Sequence, residues 1–157
     1  MFKKYLKYLR IAKIDILVYR MTADDAVDLP QIGYEIETEK IGKGVARYFI
    51  VDKEISVHSS FLYSSRRILS LLNKKGPVIG DCVTNADYRG KSIYPFVINK
   101  IAREQLHSGV SEVFINVNPD NVSSIRGIEK AGFQFFAHIR AKRFLLFYFD
   151  VNISKSR

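Results

Sequence analysis

Cysteine is almost absent from the chain, and its scarcity excludes two kinds of small-protein scaffold. Cys82 is the only cysteine among 157 residues. A single thiol cannot form an intramolecular disulfide framework, and it supplies too few ligands for a cysteine-based zinc site. The composition therefore fits a reducing compartment.

Long hydrophobic runs, export signals, repeats and linkers are also missing. No run of about 18 apolar residues occurs, which argues against a transmembrane helix. The charged start MFKKYLKYLR is not followed by an apolar stretch with a small-residue cleavage site, so we expect a soluble, cytoplasmic protein. Because no repeat or Pro/Gly/Ser-rich segment divides the chain, we predict a single domain over residues 1–157 with a basic N-terminal segment, residues 1–13.

Acidic residues are outnumbered: 16 Asp and Glu stand against 25 Lys and Arg, which gives a formal net charge of +9. This balance favours an anionic partner, which could be a phosphorylated cofactor, a nucleic acid or an anionic membrane. Residues 1–14 combine lysines with apolar residues at roughly helical spacing. They could form an amphipathic helix that contacts a membrane surface or packs on the domain.

The rest of the chain mixes strand and helix patterns. Runs rich in β-branched and aromatic residues predict strands at residues 14–21, 46–51, 55–63, 77–84, 112–117, 133–138 and 143–151. Helical patterns cover residues 64–73, 90–107 and 121–131, and Thr22 begins a further helix or turn. The strand–helix–strand–helix order at the centre predicts a mixed α/β fold with a partly parallel sheet covered by helices.

The turn between the strand at residues 77–84 and the next helix has the clearest chemical character. Arg89, Gly90 and Lys91 lead into the helix start, where backbone N–H groups, a positive dipole end and two cationic side chains meet. Such a turn can bind an anion, although a basic turn that is merely solvated has the same pattern. The segment lacks the glycine spacing of a P-loop, and one glycine is too few for a dinucleotide fingerprint.

Two motifs further along the chain make this pattern more specific. Residues 88–94 read YRGKSIY, residues 118–124 read NPDNVSS, and residues 129–133 read EKAGF. In order and separation they resemble the signature of the GNAT superfamily of acyl-CoA-dependent N-acyltransferases. That signature is a strand, Arg/Gln-x-x-Gly-x-Gly/Ala opening a helix, a second strand, and then Asn-x-x-Ser/Ala before a helix ending in Glu-Lys-x-Gly-Phe. The resemblance covers about a third of the chain and does not identify the acceptor.

The resemblance implies a mostly antiparallel central sheet flanked by helices, in which the parallel strands at residues 77–84 and 112–117 splay apart to bind acyl-CoA. Backbone N–H groups of the turn would hold the pyrophosphate, and the end of the first strand would bond the pantetheine like an added strand. The implied cofactor-binding residues are Cys82, Val83, Thr84, Arg89, Gly90, Lys91, Ser92, Ile93, Tyr94, Asn121 and Ser124. Acetyl-CoA or another acyl-CoA is the implied co-substrate. No metal site is predicted, because His107 suits a role at the C-terminal end of a helix dipole and His138 lies outside any ligand-like spacing.

Three positions depart from the family pattern. Ser92 stands where glycine is usual, and its side chain could crowd the pyrophosphate. Tyr94 replaces a small residue, so the helix start has to accommodate a bulky ring. Ile128 occupies the place where many members carry the tyrosine that protonates the leaving thiolate, so that general acid is absent.

The general base is not determined by spacing. Direct transfer needs a neutral amine, and a carboxylate or histidine near the gap could take its proton. We predict Asp81, the nearest strand carboxylate, as the first candidate and His58 as the second. A structural or surface role suits each of them as well, and Glu54 and Tyr88 are further possibilities.

Together these features predict an enzyme that transfers an acyl group, with acetyl expected, from acyl-CoA to an amine of a small molecule. The stretch from Arg89 to Pro95 also looks similar to some polysaccharide-pathway acyltransferases, which suggests an amino sugar or a sugar nucleotide as acceptor. The alternative is a GNAT-like module that binds acyl-CoA or a partner protein without turnover. No nucleic-acid partner is expected, because the aromatic residues fall mostly in strands, where core packing explains them. A homodimer could form if the gap receives the tip of another subunit.

Overall fold

The computed structural model describes residues 10–156, and these residues form strands, two α-helices and three short 3-10 helices. The strands are β1 (Ala12–Met21), β2 (Glu37–Gly42), β3 (Val45–Asp52), β4 (Ile55–Tyr63), β5 (Val78–Thr84), β6 (Val113–Val117), β7 (Gln134–Phe144) and β8 (Phe147–Lys155). The α-helices are α1 (Ile93–His107) and α2 (Val122–Lys130), and the 3-10 helices are Ala23–Asp25, Arg67–Leu72 and Ala86–Tyr88.

All eight strands join one sheet in the order β2-β3-β4-β5-β6-β1-β7-β8. Neighbouring strands are antiparallel except β5 and β6, which are connected through α1 and run parallel. A crossover helix is the usual way to connect two parallel neighbours. The predicted fold class, a mostly antiparallel sheet flanked by helices with one parallel pair at its centre, is therefore confirmed.

The parallel pair β5–β6 stays together only at its beginning. Pairing stops at Ile79 and Ile115, although β5 continues to Thr84 along β4 on its other side. A β-bulge in β5, where Asp81 has a φ of 50°, bends the strand at this point. The two strands consequently diverge and leave a gap at their carboxyl ends, as the family resemblance implied.

Two apolar clusters cover the two faces of the sheet. The larger cluster lies under α1 and α2 and includes Ile79, Ile93, Val97, Ile101, Ile115, Ile128 and Phe133. The smaller one lies under the 3-10 helix Arg67–Leu72 and includes Val18, Ile68, Leu69, Leu72, Val78, Phe114 and Ile139. Because side chains alternate along a strand, Val78 and Ile79 of β5 belong to different clusters. We call the two sides the α1/α2 face and the 3-10 face.

The chain ends differ from the sequence prediction. Residues 12–14, expected to end a helix, are part of β1, because they pair with β7. The rest of that helix, with its membrane contact, falls on residues 1–9 and lies outside the described residues. The last two strands are longer than predicted and form one hairpin around the turn Leu145-Leu146. Neither described helix combines the length and the apolar character needed to cross a membrane.

Candidate functional site

The turn that follows β5 is built by local hydrogen bonds and two left-handed residues. The Asn85 side chain accepts a hydrogen bond from the Asp87 N–H at 3.1 Å and so starts a 3-10 turn. Gly90 and Ser92 then have φ values of 76° and 59°. Glycine adopts such angles without strain, whereas a serine there is held by its surroundings. The backbone consequently reverses and enters α1 beside the end of β5.

The start of α1 leaves several backbone donors free. Among the backbone hydrogen bonds of the described chain, none is donated by residues 90–94. The first N–H groups of a helix lack intrahelical acceptors, and the helix dipole makes that end positive. Pro95 lies in this first turn, where its missing N–H costs nothing. The turn therefore offers an anion a row of backbone donors.

A cavity of about 590 Å³ opens at this turn, between the end of β5 and the first turn of α2. Its lining includes Cys82, Val83, Thr84, Arg89, Gly90, Ser92, Ile93, Tyr94, Asn121 and Ser124, which are all of the predicted cofactor-binding residues except Lys91. Lys91 lines a neighbouring cavity of about 390 Å³, and Ser92 and Lys130 line both. Sequence motifs that lie about thirty residues apart thus line one cavity.

Three cationic side chains surround the turn. The Arg89 Nε donates to the Thr84 carbonyl at 3.2 Å, which ties the turn to β5. The Lys91 ammonium lies 4.7 Å from the centre of the Tyr88 ring. The Lys130 Nζ, at the end of α2, donates to the Ser92 Oγ at 2.7 Å. Lys130 was missed by the sequence analysis, because only the packing of α2 against the turn brings it here.

The first turn of α2 forms the opposite wall of the cavity. The Asn121 side chain caps this helix, and its Oδ1 accepts from the Ser124 N–H at 3.2 Å. The same oxygen accepts from the Ser123 hydroxyl at 3.2 Å. Asn121 is therefore engaged through its oxygen, which leaves its amide NH₂ as a donor for a bound molecule.

Tyr94 is accommodated by a glycine of α2. A Cβ added at Gly127 would come within 2.6 Å of Tyr94 Cδ1, so the ring packs directly on the backbone of α2. Burial raises the pKa of Tyr94 well above its usual value. Ile128, by contrast, is fully buried in the core. The position at which the resemblance implies a tyrosine is therefore apolar, and the Tyr94 side chain lines the cavity from α1 instead.

Cys82 and His58 are both kept uncharged near the end of β5. Burial raises the pKa of the Cys82 thiol to about 12, so the thiol stays protonated. Burial also lowers the pKa of His58 to about 4. The two ring nitrogens of His58 are hydrogen-bonded to the Thr84 Oγ1 at 2.8 Å and the Ser60 Oγ at 2.7 Å. His58 does not line the cavity and is connected to it through Thr84.

Asp81 lies at the bulge of β5, on the 3-10 face. Its carboxylate accepts a 2.9 Å hydrogen bond from Arg66 Nη2 and another from the Tyr63 hydroxyl. The Arg66 guanidinium in turn stacks on the Tyr63 ring, 3.9 Å from its centre. With more than half of its side chain exposed, Asp81 is open to solvent. The two predicted bases, Asp81 and His58, are thus not brought together, and the role of each stays a prediction.

The arrangement can bind an anion at the turn and an extended chain along the free edge of β5. Beyond Ile79, the side of β5 that faces the gap has no strand partner in the described chain. A free strand edge can accept a peptide-like group by main-chain hydrogen bonds. Within residues 10–156, no group of three or more His, Cys, Asp or Glu side chains is placed to hold a metal ion.

Comparison with known proteins supports the fold. The chain is similar to a solved structure of an acetyltransferase from the GNAT family of Colwellia psychrerythraea, with a TM-score of 0.60 and 15% sequence identity. The alignment covers 90% of this chain and 57% of that one, so the chain spans little more than half of its neighbour's length. No family model matches the chain, and no curated protein matches it by sequence. The chain therefore has a GNAT-like fold.

Proposed function

We propose that this chain transfers an acyl group, acetyl in the first instance, from acyl-CoA to the amine of a small molecule. One observation carries the proposal: the parallel strands β5 and β6 separate beside a helix start that has free N–H groups and three cations. An anionic cofactor with a long, amide-containing arm fits these features. The GNAT-like fold supports acyl transfer in general, and the acetyl group and the amine acceptor are our extension.

The described residues fit the co-substrate part by part. The diphosphate would bind the N–H groups of residues 90–94, with Arg89, Lys91 and Lys130 balancing its charge. Gly90 suits this role because a Cβ built there meets nothing within 4 Å, so the turn is open. The pantetheine amides would pair with β5 at residues 82–84, opposite Asn121. Bound acyl-CoA would supply an activated thioester carbonyl at the gap.

The protonated state of Cys82 favours direct transfer. A thiol with a pKa of about 12 is a poor nucleophile at neutral pH, so we place no acyl intermediate on Cys82. The amine nitrogen would instead attack the thioester carbon, the C–S bond would break, and the amine would lose one proton. Tyr94 keeps its proton because burial raises its pKa, and we place it as the hydrogen-bond donor to the departing thiolate.

We assign the proton acceptor to Asp81 rather than His58. Asp81 is exposed on the 3-10 face, so a molecule that approaches the gap from that side can reach it. His58 is fully buried, and a pKa of about 4 makes it a weak base at neutral pH. His58 is better suited to hold the Thr84 hydroxyl in place at the end of β5.

The surroundings of Asp81 suggest the class of acceptor. Phe61 and Tyr63 stack with their ring centres 6.4 Å apart, and Arg66 and Asp81 lie beside them. An aromatic surface next to a carboxylate suits a molecule with an apolar face, hydroxyl groups and an amine. We therefore propose an amino sugar or a sugar nucleotide, in keeping with the similarity of residues 89–95 to polysaccharide-pathway acyltransferases. We also propose that the protein acts in the cytoplasm, needs no nucleic acid, and can form a homodimer.

Isothermal titration with acetyl-CoA tests the cofactor site. We expect micromolar binding by the wild-type chain and loss of binding by Ser92→Trp, because the new ring would fill the turn between Gly90 and Lys130. Ser154→Trp is the matched control: Ser154 is exposed on β8, where an aromatic side chain is tolerated. If the wild-type chain does not bind acetyl-CoA, or if both variants lose binding alike, the proposal fails.

A second candidate function is binding of acyl-CoA without turnover. The absence of a tyrosine at Ile128 favours it, because the usual proton donor is missing from that position. Release of free coenzyme A thiol in the presence of amino sugars separates the two candidates. Binding with thiol release supports the enzyme, and binding without release from any amine supports the module.

A further inference from the structure

The tip of the β7–β8 hairpin, residues 144–147, exposes an unusual amount of apolar surface. The exposed fractions of Leu145, Leu146 and Phe147 are 49%, 60% and 73%. Isolated exposed apolar residues are common, but three in succession at the end of a projecting hairpin form one patch. Such a patch is a candidate contact surface.

The turn at this tip is poorly suited to its own backbone. Leu145 has a φ of 52°, in the left-handed region that favours glycine or asparagine. Two-residue hairpin turns usually place one of those residues there. A leucine at this position is strained, and its exposed side chain contributes little to the core.

Basic side chains surround the apolar tip. Lys142 and Arg143 precede it on β7, and they lie opposite Lys13 and Ala12 of β1. Arg140 is also exposed on this end of the sheet. Two carboxylates share the region: Asp150 accepts from Lys142 at 2.6 Å, and Asp15 is hydrogen-bonded to His138. The cations remain in excess.

The chain outside the described residues adds to this charge by composition. Residues 1–9 contain Lys3, Lys4 and Lys7 together with Phe2, Tyr5, Leu6 and Leu9, and they contain no acidic residue. They join the described chain at Arg10, two residues before Ala12 pairs with Arg143 next to the tip. A basic segment without acidic residues is therefore attached beside the apolar patch.

We propose that the hairpin tip and its basic surroundings dock on an anionic lipid bilayer. Apolar side chains that enter the interface and lysines or arginines that meet anionic headgroups are the combination by which peripheral proteins bind membranes. Tip-to-tip contact with a second copy of this chain is a poorer arrangement, because two such tips would bring like charges together. The patch is small, so the binding is reversible.

The position of the tip links docking to the candidate site. Leu17 of β1 lies opposite Val117, the last residue of β6, so residues 12–16 and their partners on β7 project past β6 by roughly 17 Å. A groove between residues 13–16 and 118–121 follows this projection, and Asn121 lines both the groove and the main cavity. Docking would thus bring the gap close to the bilayer. If the proposed function holds, the amine acceptor is presented at a membrane surface.

Vesicle co-sedimentation of the full chain tests the docking. We expect binding to phosphatidylcholine vesicles that carry phosphatidylserine, weak binding to phosphatidylcholine alone, and release by added salt. The double variant Leu145→Gly, Leu146→Asn should bind at least about tenfold more weakly, because it removes apolar surface. It should fold well, since glycine and asparagine suit this turn. Ile41→Asn is the matched control: Ile41 is 53% exposed on β2, at the opposite edge of the sheet.

Each outcome decides the proposal. Loss of vesicle binding in the double variant, with binding retained by Ile41→Asn, supports it. The proposal is overturned if the wild-type chain does not bind anionic vesicles, or if the double variant binds them as well as the wild type does. A wild-type dimer that the double variant converts to a monomer, without vesicle binding, would instead make the tip an interface between copies. Acetyl-CoA titration of the double variant should match the wild type, so failure of docking is distinguishable from failure of the cofactor site.

Discussion

The ionisable side chains around the end of β5 differ in the charge that they can carry. Burial keeps Cys82, Tyr94 and His58 uncharged at neutral pH, since it raises the first two pKa values and lowers the third. Asp81 is exposed and paired with Arg66. The turn after β5 therefore contributes cations on one side of the gap, and the Asp81–Arg66 pair contributes charge on the 3-10 face.

His58 should make the protein sensitive to mild acid. Its pKa is about 4 in the folded chain and 6.5 in the unfolded chain, so the unfolded state takes up the proton first as the pH falls. We expect the free energy of unfolding to drop by about 3 kcal/mol between pH 6.5 and about 4, and to be independent of His58 ionisation above pH 6.5.

Denaturant unfolding of the wild type and of His58→Gln across this pH range measures the effect. The glutamine keeps polar groups near Ser60 and Thr84 but does not titrate, so the pH-dependent difference between the two curves belongs to the histidine. A difference that stays constant from pH 6.5 to about 4 would show that His58 titrates alike in both states.

Among the elements, those with a buried face were predictable and those without one were not. β5 and α1 follow from apolar patterning, and the gap between β5 and β6 follows from the family resemblance. β2 was missed because all six of its residues are exposed and three of them are charged. This composition suits an edge strand, but the sequence shows no alternation of buried apolar and exposed polar residues there. The β7–β8 turn was missed because Leu145-Leu146 lacks the usual turn residues.

Contacts between elements could not be predicted from either element alone. Tyr94 looked like an obstacle at the start of α1, and its packing on Gly127 depends on how α2 approaches α1. The Lys130–Ser92 hydrogen bond has the same origin. Local motifs thus indicate which residues line the cavity, whereas the shape of its walls depends on how the helices pack.

The Tyr94–Gly127 contact predicts a mutation whose effect changes sign. Gly127→Ala should destabilise the wild type by about 1–3 kcal/mol, because the new Cβ would lie 2.6 Å from the Tyr94 ring. In a Tyr94→Ala background the clash is gone, and alanine is a better helix former than glycine. There the same change should stabilise α2 by about 0.5–1 kcal/mol. Urea unfolding of the four proteins measures both effects, and equal effects in the two backgrounds would contradict the contact.

On the scale of the whole molecule, the sheet separates two chemically different sides at one gap. The cavity with its free N–H groups lies on the α1/α2 face, and Asp81 with Tyr63 and Arg66 lies on the 3-10 face. Two substrates could therefore bind at once, from opposite sides, and meet where β5 and β6 diverge. Such a division predicts that a mutation on one face can impair the function of that face without affecting the other.

Asp81→Asn should separate acceptor chemistry from cofactor binding. Because Asp81 does not line the cavity, we expect titration to show unchanged affinity for acetyl-CoA. Because the proton acceptor is lost, kcat for thiol release with an amino-sugar acceptor should fall by about a hundredfold. Asp24→Asn makes the same exchange at an exposed carboxylate on the 3-10 helix Ala23–Asp25, and it should leave both quantities unchanged. Ser92→Trp should instead weaken acetyl-CoA binding. Loss of acetyl-CoA affinity in Asp81→Asn, or an unchanged kcat, would remove Asp81 from the acceptor side and leave the 3-10 face without a role in the reaction.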